Sequence, residues 1–530
     1  MMVLAAPVIG GLAATLLPAF GYLPALGGEA FSLAPWRELL AWPGLRGSLV
    51  LTVTSGMAAT ILSLASAVAM AVLARRARWS RAVQFWMPPV LATPHSALAI
   101  GFAFLAAPSG WVARVVSPWL TGWRSPPDIA SVQDPWGVAL ALGLWLKETP
   151  YLLLMLLAAL AQVEAERSAR VATSLGYGPW RAWMLGVLPL VWAQVRLPVM
   201  AVLAFSLSVV DVALILGPAN PPTLAVQVLR WYSDPDLARW FTASAGAVLL
   251  AGMIGVGVIG LLGVERLVAV AGRWAVRGGT RGRGGFGADT AAGGLLVLWG
   301  GLSAAALAVL AVWSLTSVWR FPAALPQAWS GAVWIAQAPE LAGPAWATIG
   351  LGAGVTLVAL ALAVACLQGG RGGSALVYAP LLVPQIAFLF GMQVVLLRLR
   401  LDGGVLAVGW AHLVFVLPYV FLALADPWAA LDPRYGRSAA CLGASPLRVL
   451  LRVTLPMLRR PLLAAGATGF AVSAGLYLPT LFAGAGRWRT LTTEAVTLAS
   501  GGDRRVVAAT ALLQAAVPLL VFVLAVGRRR

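Results

Sequence analysis

Residues 172–189 read ATSLGYGPWRAWMLGVLP, and residues 439–456 read AACLGASPLRVLLRVTLP. Laid on one another, the two stretches match Gly176 with Gly443, Pro179 with Pro446, Arg181 with Arg448 and Leu188-Pro189 with Leu455-Pro456, always 267 residues apart. In the first copy 164–175 reads as a short helix, Gly176 as the left-handed residue that ends it, and Gly178-Pro179 as the N-cap and first residue of a second short helix. In the second copy Gly443 is the stop, Ser445 the N-cap and Pro446 the first helical residue. Each copy is therefore expected to be a helix–turn–helix.

The same register continues outward. Gly217 falls on Gly484, Thr223-Leu224 on Thr490-Leu491 and Asp236 on Asp503 at the offset of 267, and Pro150-Tyr151 on Pro418-Tyr419 at 268. Earlier in the chain Pro94 and Gly101 pair with Pro384 and Gly391 at an offset of 290, with a polar residue, His95 or Gln385, after each proline. One spacing held over so many residues marks an internal duplication.

Between the matched positions the chain is apolar. Of 530 residues 60% are hydrophobic and only 10% charged, and the mean hydropathy is +0.88, which excludes a soluble globular protein. Runs of about 20 apolar residues, enough to cross about 30 Å of hydrocarbon as helices, recur along the whole length. Twelve are expected, near 4–25, 48–73, 84–107, 137–161, 190–216, 243–270, 291–315, 345–368, 376–397, 404–425, 461–483 and 506–527. Short segments of alternating polarity, as in a membrane β-barrel, are not seen. The expected fold is an all-α polytopic membrane protein of two parallel six-helix repeats, related by an axis along the membrane normal. The repeats are expected at 1–271 and 291–530, joined by the Gly/Arg-rich linker 272–290. The helix–turn–helix loops, 164–189 and 431–456, each lie between a fourth and a fifth span.

A formal charge of +19 raises the question of nucleic acid, but the arginines sit in short loops between spans and not on one soluble domain. Arg75, Arg76, Arg78 and Arg81 follow the second span, Arg273, Arg277, Arg281 and Arg283 the sixth, and Arg528 to Arg530 end the chain. The positive-inside rule makes these loops, and both termini, cytoplasmic. Glu29, Asp128, Asp134, Asp234, Asp236 and Glu494 gather in loops of the opposite parity. Cys366 and Cys441, one in a span and one in an inside loop, imply no disulfide framework.

The loops resemble the EAA loop of permease subunits in binding-protein-dependent ABC importers, whose pattern is Glu-Ala-Ala, three residues, Gly, nine residues, Ile-x-Leu-Pro. Ala172, Gly176, Leu188 and Pro189 fit the pattern in the first copy, and Ala439, Gly443, Leu455 and Pro456 in the second. The family glutamate is replaced by Arg170 and Arg437, its first alanine by Val171 and Ser438, and its isoleucine by Gly186 and Val453. The fused, two-repeat form is similar to the permeases of thiamine and iron(III) importers, and most like the YnjC-type group among them. The resemblance implies an inner-membrane permease whose ATPase-coupling residues are Ala172, Gly176, Pro179, Pro189, Ala439, Gly443, Pro446 and Pro456. It also implies docking on cytoplasmic ABC ATPase subunits, a homodimer, and a substrate-binding protein at the outer face. The chain's one lysine, Lys147, follows a leucine, so no Walker A sequence ending Gly-Lys-Ser/Thr exists and ATP chemistry is expected on the partner.

Charges at bilayer depth cost roughly 2.5–3.5 kcal/mol each on insertion scales and need a reason. Lys147 and Glu148 fall midway along the fourth span, just before Pro150, and Asp211 in the fifth. Each is a candidate for the substrate path and equally for an ion-pair network between helices. His95 and Gln385 read as helix-packing hydrogen bonders. Two histidines and two distant cysteines offer no metal-site spacing, and no cofactor is expected. The rival function is a twelve-span ion-coupled secondary transporter, which would have no need of two matched helix–turn–helix loops. A membrane enzyme is disfavoured by the lack of a nucleophile–base pair. The solute is not legible in these residues.

Overall fold

The computed structural model describes residues 2–74, 83, 87, 89–279, 281, 288–369 and 379–526. Nearly all the ordered structure is helical; among the described residues the strands are Thr316–Val318 and Ala328–Trp329, an antiparallel pair. Arg75, Arg76, Arg78, Arg81, Arg283 and Arg528 to Arg530, and most of the linker 280–287, lie outside the described residues.

Nine helices among the described residues are long and apolar enough to cross a membrane. A tenth candidate is broken, Arg459–Gly475 and Leu478–Gly484 meeting at 64°, and Pro7–Ala19 and Gln385–Arg398 are shorter apolar helices. Each overlaps one of the expected runs, several with other boundaries. Arg239–Arg277 is a single helix that carries the sixth run on through 272–277 of the expected linker. The runs at 190–216 and 461–483 are not continuous. The first breaks between Ser208 and Asp211 and the second between Gly475 and Leu478. These breaks are 267 residues apart and share one backbone path: Val209 and Leu476 are extended (ψ 137° and 116°), while Val210 and Tyr477 return to the helical region.

The lipid-soluble surface follows from side-chain sorting along each helix. In Leu45–Leu73 the buried positions include Ser48, Thr52, Ser55, Gly56, Ala59, Thr60, Ser63 and Ser66, whereas Val50, Val53, Met57 and Ile61 are exposed. Small and hydroxyl side chains on one stripe let neighbouring backbones approach, and large apolar side chains face the hydrocarbon. Thr52 and Ser55 donate to the carbonyls of Ser48 and Leu51 at 2.7 and 2.6 Å. The indole N–H of Trp145, on Val138–Ala161, crosses to Ser66 Oγ at 2.8 Å.

The chain divides into two compact units. One holds Met1–Thr15, Ala92–Ala97 and Gly331–Arg530, the other Leu16–Leu91 and Leu98–Ser330. Most of the first helix thus packs with the second repeat, and the helix Ala288–Ser314 with the first. The repeated glycines explain the exchange. A Cβ on Gly101 would collide with the carbonyl of Ala306, and one on Gly391 with the carbonyl of Gly11. At both crossings the leading helix of one repeat lies backbone against backbone on the third run of the other, and no side chain larger than hydrogen fits.

The repeats also cap alike. Leu224 and Leu491 begin two nine-residue helices, Leu224–Tyr232 and Leu491–Ala499, and their N–H groups donate to Thr52 Oγ1 and Thr348 Oγ1, both at 2.9 Å. A hydroxyl from a long membrane helix thereby satisfies one of the four orphan donors of the helix laid across it. Asp236 Oδ1 accepts from the Ala238 N–H and Asp503 Oδ1 from the Arg505 N–H at 3.0 and 2.9 Å. The Arg505 guanidinium forks onto Asp503 as well, and this hydrogen bonding holds the carboxyl below its ordinary range.

Gly391→Leu is expected to lose roughly 1–3 kcal/mol through overpacking at the crossing. Gly350→Leu, on an exposed position with nothing within 4 Å of a new Cβ, is expected to be neutral. Midpoints of thermal unfolding in detergent separate the two.

Candidate functional site

The first loop is built from Ala165–Ser174 and Pro179–Gly186, the second from Pro433–Cys441 and Pro446–Val449. Both turns close in the same way. Gly176 has φ +88° and Gly443 φ +82°. The N–H of Gly176 donates to the Thr173 carbonyl (2.9 Å) and that of Tyr177 to Ala172 (3.2 Å); Gly443 donates to Ala440 (2.9 Å) and Ala444 to Ala439 (3.1 Å). This pair of bonds is the Schellman motif, and it needs a residue tolerant of positive φ at the glycine. Ala172 and Ala439 supply the carbonyl of the outer bond in each.

The second helix of each loop starts as the sequence suggests. Gly178 is extended ahead of Pro179, and Ser445 accepts from the Arg448 N–H at 3.4 Å ahead of Pro446. Beyond that point the copies diverge. The first continues as α-helix to Gly186, while the second passes into a π-helical turn over Leu450–Thr454 before Leu455–Met457. Gly186 lies against Ala172, whose Cβ would be 3.4 Å from a Cβ placed on the glycine. The second copy has Val453 at that place.

One face of Ala165–Ser174 is small and turned inward: Ala165, Ser168, Ala169 and Ala172 are half-buried or buried. The opposite face carries Arg167, Arg170, Val171 and Ser174, all exposed. The matching positions of the second loop are Arg434, Arg437, Ser438 and Cys441, also exposed. Just past each helix stands a leucine held out by the turn, Leu175 at 55% exposure and Leu442 at 88%. The remaining expected coupling residues, Pro179, Pro189, Pro446 and Pro456, are exposed as well. The two turns also differ in their surroundings. The first turn has the Arg281 side chain about it, 3.1 Å from a Cβ on Gly176, and the Gly178 N–H donates to the Arg281 carbonyl at 3.3 Å, whereas nothing lies within 4 Å of a Cβ on Gly443.

The charged residues at membrane depth have separate settings. Pro94 has no N–H for the carbonyl of Val90, and the break that follows also releases that of Leu91. Lys147 Nζ donates to both, at 3.0 and 2.9 Å. Glu148, next to it, is buried too. Asp211 is buried as the first residue of Asp211–Leu216, where a carboxylate favours the positive end of the helix. His95 and Gln385 open the helices that follow the two proline breaks.

Sequence reasoning passed over His412. It is buried, with Nδ1 2.9 Å from Ser473 Oγ and Nε2 2.9 Å from Thr480 Oγ1, so it bridges the two pieces of the broken helix. In the first repeat Ser206 stands 267 residues before Ser473, and its buried hydroxyl has no partner among the described residues. A lone histidine in an apolar run carries no signal of such a role; only the fold brings the hydroxyls to it. Among the described residues no cluster of three His, Cys, Asp or Glu side chains is placed to hold a metal.

No family model matches the chain. It is 34% identical over 502 residues to the inner membrane ABC transporter permease protein YnjC of Escherichia coli K12, a match covering 93% of this chain and 90% of that protein. It is also 29% identical over 114 residues to the putrescine transport system permease protein PotI of the same strain, covering 20% of this chain and 40% of the relative.

Lys147→Met is expected to leave two buried carbonyls unpaired and to cost about 2 kcal/mol or more, read as a lower unfolding midpoint. Asp211→Asn keeps shape and size but removes the charge at the helix start, and is expected to lose less, about 0.3–1 kcal/mol. An equal loss in both would assign Asp211 to the packing.

Proposed function

The chain belongs to the ABC transporter permeases of the inner membrane, and from that premise we propose that it forms the solute path of an importer driven by a separate ATPase. Residues 1–271 and 291–530 are the two permease repeats in this reading, with 272–290 joining them and both termini in the cytoplasm. The observation that carries it is the pair of Schellman turns at Gly176 and Gly443, each followed by a proline-started helix, at one sequence offset. Two alike projections suit a partner with two alike grooves, which is what a homodimeric ATPase presents. Closure of that dimer on ATP would move both loops together and tilt the helices attached to them, a rigid-body switch between inward- and outward-facing states. A substrate-binding protein would deliver solute at the outer face.

Coupling rests in this reading on Ala172, Gly176, Pro179 and Pro189 with Ala439, Gly443, Pro446 and Pro456. Of the substrate-path candidates Lys147, Glu148 and Asp211, the lysine is engaged with backbone carbonyls, while Asp211 stands where the fifth run is interrupted. Interrupted helices in matching places of two repeats are where transporters expose polar backbone to a solute.

The variant carrying Gly176→Val and Gly443→Val puts a branched side chain at positive φ in both turns, a strain of about 1–2 kcal/mol each. It is expected to insert normally yet to abolish ATP-driven uptake and retention of the ATPase subunit. Uptake by the wild-type chain in proteoliposomes that hold no ATPase would refute the reading.

A further inference from the structure

Each loop helix turns two arginines outward, one helical turn apart: Arg167 and Arg170 in the first, Arg434 and Arg437 in the second. The leading arginine of each pair has a carboxylate on its own loop, Glu164 at 2.9 Å from Arg167 and Asp432 at 4.0 Å from Arg434. Arg170 and Arg437, which replace the family glutamate, have no carboxylate partner among the described residues. Both stand five residues before an exposed leucine, Leu175 or Leu442, which the glycine turn presents at the end of the same helix. A guanidinium with no carboxylate within 4 Å among the described residues and an apolar knob thus recur together, at one spacing, on two loops.

We infer that the partner surface received by these loops is a pair of apolar grooves, each with a carboxylate on its rim facing Arg170 or Arg437, carried by the ATPase subunits. The inference rests on the docking reading above and adds the chemistry of the partner. An arginine seated against a groove without an acidic group would lose water with no compensating charge, a cost of several kcal/mol that no interface retains twice by chance. A carboxylate opposite it forms a forked, charge-assisted pair that also sets the register of the helix in the groove. Anionic lipid is the other occupant that basic loops can attract. The exposed leucine argues against it: Leu442, 88% exposed, fits an apolar pocket of a protein better than a layer of polar headgroups.

The test uses the complex of the full chain with the ATPase subunit that copurifies with it from native membranes. Arg170→Lys and Arg437→Lys each add an exposed amine to a chain whose one lysine, Lys147, is buried. With a zero-length carbodiimide, both variants are expected to give a cross-link from the new lysine to an ATPase Asp or Glu, located by mass spectrometry and absent in wild type. The double reversal Arg170→Glu with Arg437→Glu is expected to weaken retention of the ATPase at least tenfold, and the wild-type complex to dissociate progressively as NaCl rises from 50 to 500 mM. The salt series needs no variant, so the proposal stays testable even where the reversal fails to fold. Retention of ATPase that is indifferent to reversal and salt, with no cross-link, overturns the acidic rim while leaving docking intact. A wild-type chain that holds no ATPase overturns the docking reading itself. ATPase retention unchanged by the reversal, with activity lost only in nanodiscs of anionic lipid, assigns the arginines to headgroups and overturns the proposal.

Discussion

Hydrocarbon holds no water, so every backbone N–H and C=O within it has to find a partner in the protein. That constraint makes the spans helices and governs the places where they stop. The proline at 94 withdraws one N–H, and Lys147 takes up the carbonyls so released. The break at Leu476-Tyr477 is held by Thr480, which returns a hydroxyl to the Leu476 carbonyl at 2.9 Å, and by His412, which joins the pieces on either side. A charged or titratable side chain in the bilayer is costly. Here two of them offset a larger cost, that of an open backbone.

Duplication reproduces local structure more faithfully than it reproduces side chains. The breaks at 209–210 and 476–477 share their backbone path although their residues differ, and the turns at Gly176 and Gly443 share both bonds of the Schellman motif. Polar equipment diverges instead. Lys147, Glu148 and Asp211 lie in the first repeat, His412 and Thr480 in the second.

The parts legible in the residues were those in which a local rule dictates the answer. Apolar runs announced the spans, and a glycine before a proline announced the loop turns. The missed features have a common cause. No glycine or proline stands at Val209-Val210, so nothing local marks the break. His412 has no neighbour in sequence that hints at Ser473 and Thr480. The helix Arg239–Arg277 runs on through residues expected to be linker because Arg273, Ala275 and Arg277 among them are acceptable helix formers.

The amino-acid sequence by itself determined the membrane class, the duplication, the position and chemistry of both loops and the arginines where the family has glutamate. Each of these is a matter of composition, periodicity or single-residue stereochemistry, which no distant contact alters. The tertiary structure alone decided which helices pair. The leading helix of each repeat packs into the unit of the other, where a glycine, Gly101 or Gly391, allows backbone to lie on backbone. It also decided what the buried charges serve, since a lysine bonds to whichever carbonyls the fold has left open.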